Sequence, residues 1–155
     1  MSPWSHPTTI PPGPMTRDLA PRPGVTLVEG GADVAVYAGH ADAVELCLFD
    51  AGDKAGTSER RTPLLARAHG WWFAFVPGIT PGPRYNFRAH GAWSPDQGLR
   101  HNPAKLLLDP YAKAIEGKVR WGAEVYGHVV DVRWHGDGEL ISDLDSRGHM
   151  PRGVV

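Results

Sequence analysis

ADVAVYAGHADAVELCLF, residues 32–49, holds the pattern that decides the fold. Side chains alternate between the two sides of an extended chain, so Ala32, Val34 and Val36 share one face, and Val44, Leu46 and Leu48 repeat the arrangement in the next apolar run. These six positions are expected to line a core. A helix would need apolar residues three and four apart over ten or more positions, and the 19 glycines and 15 prolines interrupt the chain too often for that. Further apolar stretches fall at 25–28, 62–67, 71–76 and 84–90, with Gly30-Gly31, Ala51-Gly52-Asp53, His69-Gly70 and Pro77-Gly78 supplying turns between them. Short strands at this even spacing predict an all-β sandwich.

Outward from this block the chain changes character. Residues 1–23 carry seven prolines and read as a flexible, extended leader. Asn102-Pro103 offers a capping asparagine and a proline suited to a first helical position, so residues 103–107 are expected to form about one helical turn, ended by Asp109-Pro110. Residues 113–155 mix charge, glycine and single apolar residues without a strand or helix period; they read as a linker or tail that lies on another surface or moves. The expected organisation is a leader at 1–23, a sandwich at 24–112 and the tail beyond.

At 155 residues the chain suits one domain and falls short of the ~250 residues of a barrel enzyme. Sixteen basic and 17 acidic residues leave a net charge of -1, which provides no field to select nucleic acid. No apolar run approaches the ~20 residues of a membrane helix, and the start MSPWSHPTTIPPGPM lacks the basic and apolar regions of a secretory signal. A cytoplasmic protein without a membrane partner is expected. Cys47 is the single cysteine, sits in an apolar run and reads as core filler.

Catalytic patterns fail on spacing. The eight histidines never reach the separations of a zinc site, so neither metal nor other cofactor is expected. DLDSRG at 143–148 begins like a calcium loop, but Arg147 occupies a ligand position and Val154 stands where the bidentate glutamate belongs. Ser142, Asp143 and His149 lack a GxSxG elbow. Asp137, Glu139, Asp143 and Asp145 sit in a glycine-broken segment, not on the rigid scaffold that paired glycosidase carboxylates require. Aromatic residues carry more information, because sugars present flat C–H faces that pack on rings. In WWFAFV at 71–76, alternation sends Trp72, Ala74 and Val76 to the core and Trp71, Phe73 and Phe75 to the opposite face, which is left to meet a partner surface or ligand, so Trp71 is a further candidate for sugar contact. Trp93 follows Gly91 in a loop, open both to domain packing and to sugar contact.

RYNFRAHGAWSPDQGLRHNPAKLLLDPYAKAI, residues 84–115, then supplies a resemblance. YNFRAHGAWSP and LRHNPAKLLLDPYAK resemble the YRVHGPWDP and HRFNPNKLLLDPYAK patterns of isoamylase-type glycogen debranching enzymes, and the ending SDLDSRGHMPRGVV is similar to that family's DDRDSAPFMPKSVV. The resemblance implies carbohydrate-binding module family 48, an immunoglobulin-like β-sandwich preceding the catalytic barrel of glycoside hydrolase family 13. The catalytic residues of that family lie in the barrel, so none is carried over here. By the pattern of related glycogen-binding sandwiches, Trp93 matches a sugar-stacking tryptophan and Asn86 a polar sugar contact. The second tryptophan of that pattern would fall at 39–43, where this chain has none, so weak binding is implied. Leu106, Leu107, Leu108 and Tyr111 would pack between sandwich and barrel. The expectation is a truncated, non-catalytic module of an enzyme that hydrolyses α-1,6 branch linkages, with α-glucan (glycogen or limit dextrin) and a catalytic barrel in cis as partners. The alternatives are a stand-alone glucan-binding or regulatory sandwich acting on a partner enzyme and, more distantly, an unrelated immunoglobulin-like interaction domain.

Overall fold

A computed structural model describes residues 22–131 and 133–155; the expected leader lies outside them except for its last two residues. Along the chain run strands β1 (Gly24–Val28), β2 (Gly31–Tyr37), β3 (Ala43–Phe49), β4 (Arg60–Pro63), β5 (Ala66–Ala68), β6 (Trp71–Pro77), β7 (Arg84–His90), β8 (Trp93–Ser94), β9 (Leu99–Arg100), β10 (Ile115–Glu116), β11 (His128–Val130), β12 (Gly136–Ile141) and β13 (Arg152–Val154). One sheet has the order β1-β2-β6-β5 and a second β10-β13-β7-β3-β4, while β8-β9 and β11-β12 form small ribbons. The named pairings are antiparallel. The all-β sandwich expected from the sequence is what forms.

The six expected core positions meet between the sheets. Ala32, Val34 and Val36 of β2 face Val44, Leu46 and Leu48 of β3, joined by Trp72, Ala74 and Val76 of β6 and by Tyr85, Phe87 and Ala89 of β7. Each fully buried Val or Leu here contributes about 1.5–3 kcal/mol over exposure. At the β5–β6 turn, His69 (φ 50) and Gly70 (φ 81) both adopt left-handed backbone, the geometry that lets a two-residue turn follow the twist of its strands.

Three expectations are corrected. The stretch 62–67 is not one strand: it divides between β4 in the second sheet and β5 in the first. The intervening Leu64 drops into the core while its amide donates to the Val44 carbonyl at 2.9 Å, so the chain changes sheets there. The expected helical turn at 103–107 contracts to a single side-chain turn, in which the Ala104 amide donates to Asn102 Oδ1 (2.9 Å) and that of Lys105 to the Asn102 carbonyl (3.0 Å). Leu107 then exchanges both main-chain bonds with Phe87, which ends any helix.

The tail is the third. Its last strand, β13, pairs with β7 through Gly153↔Tyr85 and Val154↔Arg84, and β10 pairs in turn with β13. Gly153 permits this approach, since a Cβ there would lie 2.6 Å from the Tyr85 ring. The tail and the 102–109 segment also cover the outer face of the second sheet. Cys47, Phe49 and Leu106 form a second apolar cluster, with Met150 packed against it.

Among these apolar groups lies Arg88, whose side chain is 0% exposed. It donates to both oxygens of Glu59 (2.7 and 3.0 Å), to Asp145 (3.0 Å) and to the Pro103 carbonyl (2.8 Å). Burial pushes the Glu59 carboxyl up, but the hydrogen bonds and charges of Arg88 and Arg61 outweigh it and hold the group below its ordinary value. Removing one member of such a buried pair leaves an uncompensated charge, so Glu59→Gln is expected to destabilise the fold by about 3–5 kcal/mol in urea denaturation. The contribution of Glu59 is full above its unfolded pKa of about 4.3 and is lost as pH falls through the lower folded value; acid titration of stability checks the sign. Amide exchange supplies a second test. Val154, bonded to Ala114, and Val155, bonded to Pro83, are expected to be protected along with β7, whereas the solvent-facing strand β12 exchanges fast.

Candidate functional site

The structure separates the residues proposed for sugar contact by how much surface each retains. Asn86 retains none. It points away from Tyr85 and Phe87, toward the covered outer side of β7, and is 0% exposed. Its amide donates to the carbonyls of Leu107 (3.3 Å) and Pro151 (3.1 Å). The reading of Asn86 as a sugar contact is therefore corrected: it joins β7 to the tail.

Trp93 is half-buried. Its indole N–H donates to the Glu139 carbonyl of β12 at 2.9 Å, and the backbone of Gly127 lies so close that a Cβ would sit 3.2 Å from the ring. The polar edge of this ring is engaged by the β11–β12 ribbon, and the tail lies beside it.

Trp71 has different neighbours. On the outer face of the first sheet it pairs across strands with Tyr37, their rings edge to face at 5.8 Å, and Tyr111 stands on its other side at 6.2 Å. Tyr37 and Tyr111 are 60% and 50% exposed. Tyr37 lies against the 69–70 turn, where a Cβ on Gly70 would fall 2.6 Å from its ring, so that glycine sets the position of the tyrosine. The outcome is a row of three aromatic side chains with two phenolic hydroxyls, an apolar surface edged by donors and acceptors. Trp72, the neighbour assigned to the core, is buried there and donates its indole N–H to the Ala38 carbonyl at 3.0 Å.

The residues expected to pack between domains divide as well. Leu106 is buried in the second apolar cluster, so a role at the molecular surface is corrected for it. Leu108 is partly buried, and Leu107 and Tyr111 keep exposed faces. The polar residues of the same motif hold the tail: Asn102 donates to the Gly127 (2.9 Å) and Ser142 (2.7 Å) carbonyls, and the buried ammonium of Lys105 to those of Glu124 and Leu144. Burial in this carbonyl-lined site holds the Lys105 pKa below its ordinary value.

Sequence reasoning missed Tyr37 and Tyr111 as neighbours of Trp71. Alternation places Tyr37 on the outer face of β2, but only the observed register, with Tyr37 opposite Trp71, brings the rings together. A second aromatic group, Trp121, Tyr126 and Trp134, also escaped it; Tyr126 lies 6.4 and 6.1 Å from the two tryptophans. Among the described residues no group of three His, Cys, Asp or Glu could hold a metal ion, and no helix is long and apolar enough to cross a membrane.

Comparison with known proteins places the fold. The family model of carbohydrate-binding module 48, the isoamylase N-terminal domain, matches residues 23–112. A glycogen debranching enzyme of Cronobacter sakazakii is 41% identical over 133 residues, which are 86% of this chain and 18% of that enzyme. One from Salmonella typhi is 44% identical over 97 residues, 63% of this chain and 14% of the enzyme. The solved GBS pullulanase SAP, in complex with maltotetraose, has a TM-score of 0.50 at 19% identity over 88% of this chain and 14% of its own, a likeness of fold alone. The chain thus spans less than a fifth of the curated relatives it matches. With more than half of its length matched by the family model, the chain belongs to carbohydrate-binding module 48, the isoamylase N-terminal domain family.

Proposed function

We propose that this chain is a non-catalytic, glucan-engaging module of a glycogen debranching enzyme, one whose catalytic barrel hydrolyses α-1,6 branch linkages and packs against the module in cis. The observation that carries the glucan reading is the row Tyr37–Trp71–Tyr111 on the outer face of the first sheet. Rings on paired strands are held more rigidly than rings on loops, and a rigid platform loses less freedom when a sugar docks. Tyr37 and Trp71 lie on neighbouring strands of the sandwich core. Trp121 and Trp134, outside the family-matched residues, are less favoured on this ground. Trp93 serves instead to pack the β11–β12 ribbon, as its bond to Glu139 supports. The exposed face of Leu107 remains available to a barrel.

Three rings with a few hydroxyl contacts support roughly millimolar affinity once the cost of association is met. Titration with maltoheptaose, followed by tryptophan fluorescence, tests this. Trp71→Ala is expected to weaken binding by roughly tenfold, equivalent to about 1.4 kcal/mol, while Trp93→Ala retains it. Loss of the response in Trp121→Ala would move the site to the tail, and no response at near-saturating sugar would leave packing as the module's role. Activity is a separate matter. Asp145 is engaged by Arg88, and Asp137 and Glu139 lie on the solvent-facing ribbon, so the chain alone is expected to release no reducing ends from glycogen. Release that survives repurification would contradict it.

A further inference from the structure

A cavity of about 310 Å³ opens between the 52–54 turn, the start of β7 and two tail segments, 116–120 and 148–152. It lies away from the aromatic row and shares no residue with it. Its charge is unusual for this molecule. The whole chain carries a net charge of -1, yet five cationic side chains and only two carboxylates line this cavity.

Both carboxylates already have partners. Glu116 is paired with Arg84, whose guanidinium also donates to the Gly82 carbonyl. Asp53 accepts from the amides of Gly56 (2.9 Å) and Ser58 (2.8 Å) and from the Ser58 hydroxyl, so both of its oxygens are occupied by its own loop. Those contacts hold its carboxyl well below the usual range, although burial acts the other way. The cations left over are Lys54, Lys118, Arg120 and Arg152, none of which has an ion-pair partner among the described residues.

Arg152 makes the imbalance costly. It is 6% exposed, its guanidinium lies 3.9 Å from the Phe49 ring centroid, and its Nη atoms donate only to the neutral carbonyls of Asp53 and Arg147. Its buried Nε has no hydrogen-bond partner. The carboxylates of Asp53, Glu59 and Glu116 attract this charge without lying at ion-pair distance, and burial still holds its pKa below the ordinary value, so an anion in the adjoining cavity would favour the charged form further. Arg84, which also lines the cavity, is already paired with Glu116, so the anion would be drawn chiefly by Arg152, Lys118, Arg120 and Lys54.

We infer that this cavity binds a phosphate group, either as the free ion or on a small phosphorylated sugar. Residues bearing guanidinium and ammonium groups line the cavity from several segments, and such groups suit a multiply charged tetrahedral anion that accepts several charge-assisted bonds. The volume lies at the lower end of small-molecule pockets, which suits a compact ligand better than an acidic protein segment.

The test is a titration of the chain with potassium phosphate against potassium chloride at matched ionic strength, and separately with glucose 6-phosphate, following the amide resonances of Gly117, Arg120, Gly148 and Arg152. Saturable shifts confined to these residues are expected. The double variant Lys118→Gln/Arg120→Gln alters exposed side chains, so folding is retained, and it is expected to weaken binding by about tenfold or more. Tighter binding of glucose 6-phosphate would identify the sugar phosphate as the ligand; equal binding would support a site for the phosphate group alone. Absence of saturation up to about 50 mM phosphate, far above millimolar affinity, would overturn the inference. So would an undiminished response in the double variant, or shifts spread over all surface cations as general screening produces.

Discussion

A buried guanidinium cannot be left without acceptors, and the architecture around Arg88 follows from that requirement. Glu59 approaches from the chain entering β4, Asp145 from the tail and the Pro103 carbonyl from the 102–109 segment, so one side chain unites four stretches far apart in sequence. Without those acceptors the outer side of β7 would have to face water, and the layer formed by Leu106 and Met150 over Cys47 and Phe49 would have no reason to close. An arginine at this place makes the covering layer part of the sandwich.

The NPAK residues of the family-like motif act in the same way one step farther out. Asn102 and Lys105 direct their donors at main-chain carbonyls of the tail, which reads as irregular because its order comes from these contacts and not from a strand period. Their donors satisfy main-chain carbonyls of the tail, of which that of Gly127 also accepts from the Ser142 amide (2.8 Å), meeting the demand that buried backbone polar groups be paired. Among the described residues, the unsatisfied buried side-chain atoms are Thr62 Oγ1, Asn86 Oδ1 and Arg152 Nε, so this network is nearly closed.

What the sequence made legible was the inner layer. The two-residue period in β2 and β3 identified core positions because burial on one face is written directly into alternation. The outer layer was hidden because RYNFRAH also alternates, a pattern that predicts one apolar and one polar face, when in fact 85–89 are all buried and Asn86 is no surface contact. Arg88 is matched by carboxylates 29 and 57 positions away, and no local pattern reports such a pairing. The change of sheets at Leu64 was hidden for a similar reason, since an apolar residue between two short strands looks like the middle of one strand. For the aromatic surface, alternation in WWFAFV pointed to Trp71, but its neighbours Tyr37 and Tyr111 depend on cross-strand register and on the path of the chain after Asp109.

Cys47 lies at the junction of these layers, with Leu106 beside it and Arg61 opposite across the β3–β4 pairing. Burial, aided by the charge of Glu59, pushes its thiol well above the ordinary range, so little of the reactive thiolate forms near neutral pH in the folded chain. As the single cysteine of this chain, it is a built-in chemical clock. A thiol reagent can reach it only when the outer layer lifts or the sandwich opens, and the labelling rate therefore reports how often the Arg88 network comes apart.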